Sequence, residues 1–117
     1  MGSVAGSYDI IADQGATFTR TVTWLDSAGA PVSNVGYTAR MQVRQRFVST
    51  STVLSLTSSS GITLAGASGV ITITASATVM ADIAAGEYVY DLELVSGGGV
   101  VTRLLMGSFT VRAEVTR

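Results

Sequence analysis

The sequence contains no cysteine, no histidine and no lysine among its 117 residues. Without cysteine it has neither disulfides nor thiolate chemistry, and without histidine it has neither a serine–histidine–aspartate triad nor histidine-based acid–base catalysis. A zinc ion would find only carboxylate ligands. Most familiar catalytic and metal sites are therefore excluded, and we expect no enzymatic activity, no cofactor and no metal ion.

Charge is also scarce, because charged residues make up 13% of the chain and the net charge is −1. Such a balance supplies neither the basic field that nucleic acid requires nor a polybasic patch for a membrane surface. The sequence has no signal-peptide pattern and no apolar run of about 18 residues, the length that spans a membrane. We expect a protein made in a cytoplasm that binds no nucleic acid and no membrane.

Apolar and polar residues alternate along most of the chain. In "ATFTRTVTWLD", Phe18, Val22 and Trp24 share one parity while threonines occupy the other, which is typical of a half-buried strand. About seven short strands separated by turn residues favour an all-β fold, an antiparallel immunoglobulin-like β-sandwich, with a small barrel as the alternative. We expect one domain over residues 8–117, preceded by an N-terminal arm, residues 1–7, that adds no strand.

The same alternation predicts which side chains form the inner layer of the sandwich. The predicted inner residues are Phe18, Val22, Trp24, Met41, Val43, Ile71, Ile73, Tyr90, Leu92, Leu104 and Val111. The segment "SATVMADIAAG" is the one helical candidate, one or two turns long. In it Ser76 or Thr78 would cap the start, Gly86 would close the end, and Val79, Met80 and Ile83 would face inward.

The stretch "YTARMQVRQRF" places Arg40, Arg44 and Arg46 on one row and Met41, Val43 and Phe47 on the opposite one. If this strand lies beside the strand "YVYDLELV", the arginines would face the carboxylates on that strand's outer row. The arginines would then be the solvated face of a sheet. The alternative is an arginine platform that binds the carboxylates of a partner or a sugar.

Two further groups of residues resemble functional sites only superficially. Asp91 and Glu93 lie two residues apart, as a glycosidase pair could, but no aromatic subsite or third polar group accompanies them. Trp24 and three tyrosines, Tyr37, Tyr88 and Tyr90, could form a carbohydrate platform, but most of them lie on otherwise apolar rows. Ion pairing and core packing, respectively, are the favoured interpretations.

Four segments together resemble a known family. These are "QGATF", "GYTARMQVR", "GEYVYDLELV" and "TRLLMGSFTV", and they resemble small virion proteins of tailed bacteriophages, including the N-terminal domain of baseplate upper proteins. The resemblance implies an immunoglobulin-like sandwich without catalytic residues. It implies a structural virion protein that is homo-oligomeric in the assembled particle, most simply an adaptor between tail or baseplate and fibre proteins, with other virion proteins as partners. A capsid decoration protein and a glycan-binding module that contacts the host remain alternatives.

Residues expected to contact such partners lie in the arm, in a short edge strand and on the arginine row. The short run "TVLSL" has no charge or proline to block pairing with another chain. The predicted contact residues are Met1, Gly2, Ser3, Val4, Ala5, Arg44, Arg46, Thr52, Val53 and Leu54.

Overall fold

The computed structural model describes residues 6–116, in which two β-sheets face each other. The elements are β1 (Gly6–Ser7), β2 (Ile10–Asp13), β3 (Phe18–Thr23), β4 (Thr38–Arg44), β5 (Leu54–Thr57), β6 (Ile62–Leu64), β7 (Val70–Ala75), α1 (Ala77–Ala81), β8 (Gly86–Val95) and β9 (Val101–Arg112), with a 3₁₀ turn at Gly66–Ser68. The larger sheet has the order β1-β9-β8-β4-β5, with β2 also pairing β9, and the smaller has the order β3-β7-β6.

This strand order is that of an immunoglobulin-like sandwich, so the predicted fold class is confirmed. Strands β4, β8, β9 and β5 correspond to C, F, G and C′ of that fold, and β3, β7 and β6 to B, E and D. The first strand does not join the B strand, since β1 and β2 pair in parallel with β9. The other paired strands run antiparallel.

A tyrosine at the start of β8 independently supports the assignment. The Tyr88 hydroxyl donates a hydrogen bond of 2.6 Å to the Ala84 carbonyl four residues upstream. Tyr88 is 7% exposed, so the bond satisfies a hydroxyl that burial would otherwise leave without a partner. Immunoglobulin-like domains have a tyrosine with this bond near the start of strand F.

Most of the predicted inner layer is buried between the sheets. Eight of the residues predicted to face inward are buried: Phe18, Met41, Val43, Ile71, Ile73, Tyr90, Leu92 and Val111. The other three, Val22, Trp24 and Leu104, are only partly buried. Val22 and Trp24 keep the parity of the buried Phe18, whereas Leu104 is the extra residue at a register shift of β9, between Arg103, which pairs with Glu93, and Leu105, which pairs with Leu92. All three line an open side of the sandwich, where no described strand covers them.

Two inward-facing residues and the end of the helix were predicted wrongly. Phe47 does not continue the apolar row of β4, because the strand ends at Arg44 and Phe47 is 67% exposed. In the helix, Val79 is exposed, although Met80 and Ile83 are buried as expected. Gly86 does not end the helix but begins β8.

Of the two predicted N-terminal caps of the helix, Ser76 and Thr78, the structure has Ser76. The side chain of Ser76 accepts a hydrogen bond from the backbone N–H of Val79, and Asp82 is the C-terminal cap. The helix therefore ends well before Gly86.

The N-terminal part of the domain contains strand where none was expected. Gly6 and Ser7 pair with Leu105 and Met106 of β9, so the prediction that residues 1–7 add no strand is wrong for these two. Nothing in the alternation of "GS" could have indicated this, because the pairing depends on the position of β9.

Candidate interaction surfaces

The arginine row lies beside the carboxylates, as the sequence predicted. Strands β4 and β8 are neighbours, and Arg40 stands opposite Glu93. The Arg40 Nε lies 2.7 Å from Glu93 Oε1, while Arg103 on β9 lies 3.5 Å from Asp91 and 4.0 Å from Glu93. Such exposed cross-strand pairs contribute roughly 0.2–1 kcal/mol each. The outer face of this sheet therefore neutralises most of its own charge.

Arg44 and Arg46 do not join this network. Arg44 stands opposite Val89, and its guanidinium donates to the Ser49 carbonyl and to Gln42 Oε1, both at 2.8 Å. It therefore holds the β4–β5 loop against the sheet. Arg46 is exposed on that loop, beyond the end of β4. The two side chains are not brought together into a platform for one ligand.

The outer face also holds the two carboxylates that resemble a catalytic pair. Arg40, Gln42, Asp91 and Glu93 line a depression of about 230 Å³. Burial, and then the neighbouring Glu93, raise the pKa of Asp91, while the nearby arginines oppose the shift. Both carboxylates are engaged by arginine. In residues 6–116 no cluster of acidic side chains is suited to hold a metal ion.

The raised pKa of Asp91 predicts a pH-dependent stability. Its folded-state pKa lies above the unfolded value of about 3.9, so its favourable contribution is present below about pH 4 and is lost as pH rises through the folded pKa. We expect Asp91→Asn to be more stable than the wild type at pH 7 and equally stable near pH 3. Denaturant melts at the two pH values measure this.

Asp13→Asn is the matched control for that prediction. A hydrogen bond from Arg112 lowers the pKa of Asp13, so its contribution is present above about pH 4 and is lost as pH falls. Asp13→Asn should therefore show the opposite sign at pH 7. A loss of stability at pH 7 in Asp91→Asn would show that its ion pair outweighs its desolvation.

The predicted edge strand is present but offers little backbone for pairing. Strand β5 is at the end of the larger sheet. The bond from Ser58 N–H to the Ala39 carbonyl fixes the ladder so that Ser55 and Thr57 point their backbone groups away from β4. The Thr57 groups are used in a turn with Ser60. Only Ser55 is left to pair, and such a short edge is a common protection against strand addition.

The loop before this strand exposes apolar side chains instead. Phe47 and Val48 are 67% and 86% exposed. Of the predicted contact residues nearby, Thr52 is exposed, Val53 is partly buried and Leu54 is buried. Met1, Gly2, Ser3, Val4 and Ala5 lie outside the described residues. The exposed pair was missed because Phe47 was assigned to the inner row.

The aromatic residues do not form a flat platform for a sugar. Trp24 and Tyr37 pack edge to face with their ring centres 5.3 Å apart. Tyr88 and Tyr90 are buried, and the Tyr90 hydroxyl donates to the Tyr8 carbonyl at 2.5 Å. The interpretation of these rings as packing residues is supported by their positions.

A groove that the sequence did not indicate lies on the open side between β3 and the first half of β9. It encloses about 270 Å³, and its walls are Gly6, Val22, Thr23, Trp24, Leu25, Arg103, Leu104 and Leu105. Strands β3 and β9 are about 80 residues apart in the chain and belong to different sheets. The alternation of residues within either strand does not predict that the apolar residues of the two strands lie beside each other.

Residues 6–116 contain no helix long and apolar enough to cross a bilayer.

No family model matches the chain, and no curated protein matches it. Among solved structures, the crystal structure of CopC from Methylosinus trichosporium OB3b matches with a TM-score of 0.48 and 15% sequence identity, covering 98% of this chain and 90% of that chain.

Proposed function

We propose that this protein is a non-enzymatic structural protein of a tailed-bacteriophage virion, an adaptor that attaches tail or baseplate to fibre proteins. It works by being held between other virion proteins. A capsid decoration protein is the alternative position in the particle.

The exposed pair Phe47–Val48 is the observation that carries the proposal. Two large apolar side chains side by side on a loop are costly to leave in water, and contact with another protein would remove that cost. The polar side chains of the neighbouring sheet face bind one another, as Arg40 does with Glu93. The charged side chains of that face are therefore already paired with one another, so the apolar loop is the better candidate for a contact with another protein.

The resemblance described above supplies the virion context. Its segments "GYTARMQVR", "GEYVYDLELV" and "TRLLMGSFTV" become β4, β8 and β9, which are neighbouring strands of the larger sheet. The similarity therefore covers three neighbouring strands of one sheet. We take the structural role of that family in the virion as the role of this chain.

Incorporation into virions tests the proposal. Burial of one valine is worth about 1.5–3 kcal/mol, so Val48→Ser should lower incorporation about tenfold or more. Quantitative mass spectrometry of purified particles, assembled with wild-type and variant chains in competition, measures the ratio. Val35→Ser is the matched control, because Val35 is 69% exposed and precedes β4, whose first residue Thr38 pairs with Val95 at the end of the sheet opposite to the β4–β5 loop.

Three outcomes would contradict the proposal in different ways. Absence of the wild-type chain from purified virions would remove the virion assignment altogether. Equal incorporation of Val48→Ser and the control would show that the β4–β5 loop is not a contact. Saturable binding of the isolated protein to a host surface polysaccharide, with no effect of Val48→Ser on incorporation, would favour a glycan-binding module.

A further inference from the structure

The first half of β9 has an open edge in the described structure. The Ser96 N–H donates to the Val100 carbonyl, and the pairs Val95–Val101 and Glu93–Arg103 continue the same register. Since bonded and non-bonded pairs alternate in an antiparallel ladder, Val101 and Arg103 point their N–H and C=O groups away from β8.

No described strand accepts those groups. On that side β1 pairs with β9 only at Leu105 and Met106. The strand position beside Val101 and Arg103 is therefore not occupied by any of residues 6–116. Backbone donors and acceptors arranged in a row are complementary to an extended peptide. Two residues provide four such groups, compared with one residue on the edge of β5.

The apolar groove lies directly beside this edge. Its inner walls are Val22, Trp24, Leu104 and Leu105, the partly buried apolar residues that no described strand covers. A strand paired with this edge of β9 would point alternate side chains into the groove and the others to the outer face of the sheet. Recognition by backbone pairing, with pockets for alternate side chains, is the established pattern of strand addition.

Charge on the outer face indicates what those outward side chains should be. Across β9, β8 and β4 the order Arg103, Glu93, Arg40 alternates positive, negative and positive. Arg103 is only loosely held, at 3.5 Å and 4.0 Å from its carboxylate partners, with a side chain 53% exposed. An acidic residue beside Arg103 on an added strand would extend the alternation.

We propose that this groove and the adjoining edge of β9, named here the β9 edge groove, bind an extended segment of another protein chain. That segment alternates apolar side chains with polar ones and carries an acidic residue beside Arg103. The inference deepens the proposed function, since it rests on the chain being docked in a particle, and it names a second contact and the form of the partner that fills it.

A peptide titration of the isolated full chain tests the site directly. The probe is a synthetic peptide of about six residues, an ordinary strand length, with alternating valine and glutamate and with blocked ends. We expect the amide resonances of Val101 and Arg103 to shift in the nitrogen–proton spectrum. A valine–lysine peptide should bind about tenfold more weakly, since each 1.4 kcal/mol changes affinity tenfold.

Two matched variants locate the binding. Leu25→Asp places a charge on the groove wall, and Val35→Asp makes the same kind of change at a 69% exposed position that does not line the groove. We expect peptide binding to fall about tenfold or more in the first, the loss that 1.4 kcal/mol would produce, and to persist in the second. Spectra of the free variants establish that both are folded.

Other results of the titration would overturn the inference. No shift at Val101 and Arg103 up to millimolar peptide would do so, and so would equal binding by the two variants. Binding that appears only after deletion of residues 1–5 would show that the groove is not open to a partner in the full chain.

Particle incorporation separates this inference from the proposed function. A normal level of Leu25→Asp in virions that contain the wild-type chain would overturn docking through the β9 edge groove and leave the virion assignment intact. Absence of the wild-type chain from virions would overturn the virion assignment, whereas the peptide titration would still decide whether the groove binds a strand.

Discussion

Replacing Phe109 with alanine is expected to lower the free energy of unfolding by about 3–5 kcal/mol. Phe109 is fully buried on β9. Its ring packs edge to face on Phe18 of the smaller sheet, with centres 5.4 Å apart, and on Tyr90 at 6.3 Å. Truncation would leave a cavity where the two sheets meet, and a domain of this size has only about 5–15 kcal/mol of total stability.

Urea unfolding of the two proteins measures the loss. The matched control is Phe47→Ala, the same change at a side chain that is 67% exposed, which should alter stability by no more than about 0.5 kcal/mol. A loss below about 1 kcal/mol for Phe109→Ala would contradict the packing of β9 against β3, since a buried phenylalanine costs several times more to remove.

Gly107→Ala is expected to destabilise the fold by about 1–3 kcal/mol, the usual cost of forcing extra atoms into a packed site. A Cβ at Gly107 would lie 2.5 Å from the Tyr8 carbonyl oxygen and 2.9 Å from Asp9 Oδ1. These atoms belong to the connection between β1 and β2. The methyl group would therefore push β1 and β2, which both pair with β9, away from that strand. The expected cost comes from this crowding and not from backbone strain, because Gly107 has no positive φ.

Hydrogen exchange and urea melts together test this prediction. Gly98→Ala is the control, because its Cβ would meet only Ser96 Oγ, at 3.9 Å. We expect faster exchange at Tyr8, whose N–H donates to the Met106 carbonyl, in Gly107→Ala and unchanged exchange in the control. Equal stability of the two variants would show that β1 and β2 can move aside without cost.

The charged face shows what strand patterns alone can predict about contacts between strands. Positive residues on one strand and negative residues on another indicated that β4 and β8 are neighbours, and Arg40 does bind Glu93. The prediction did not extend to Arg44, whose guanidinium holds Ser49 and Gln42. Charge complementarity identifies neighbouring strands, but it does not decide which residue of a row finds an acidic partner.

The predicted contact residues show what the sequence pattern could not predict. "TVLSL" was correctly placed at a sheet edge, yet its backbone is largely satisfied, because the turn after Thr57 uses the groups that the edge would offer. Phe47 was assigned to the core because its parity matches that of Met41 and Val43. The strand ends at Arg44, and parity carries no information beyond the end of a strand.

The sequence by itself determined that this is an all-β protein and, for most strands, which side faces inward. Alternation with a period of two is a local property, and burial of one face makes it obligatory. Tertiary structure alone decided that Gly6–Ser7 pairs with β9 and that Val22, Trp24 and Leu104 line an open groove. These features depend on how far strands that are distant in sequence extend beside one another in the fold. The alternation of residues within one strand carries no information about that overlap.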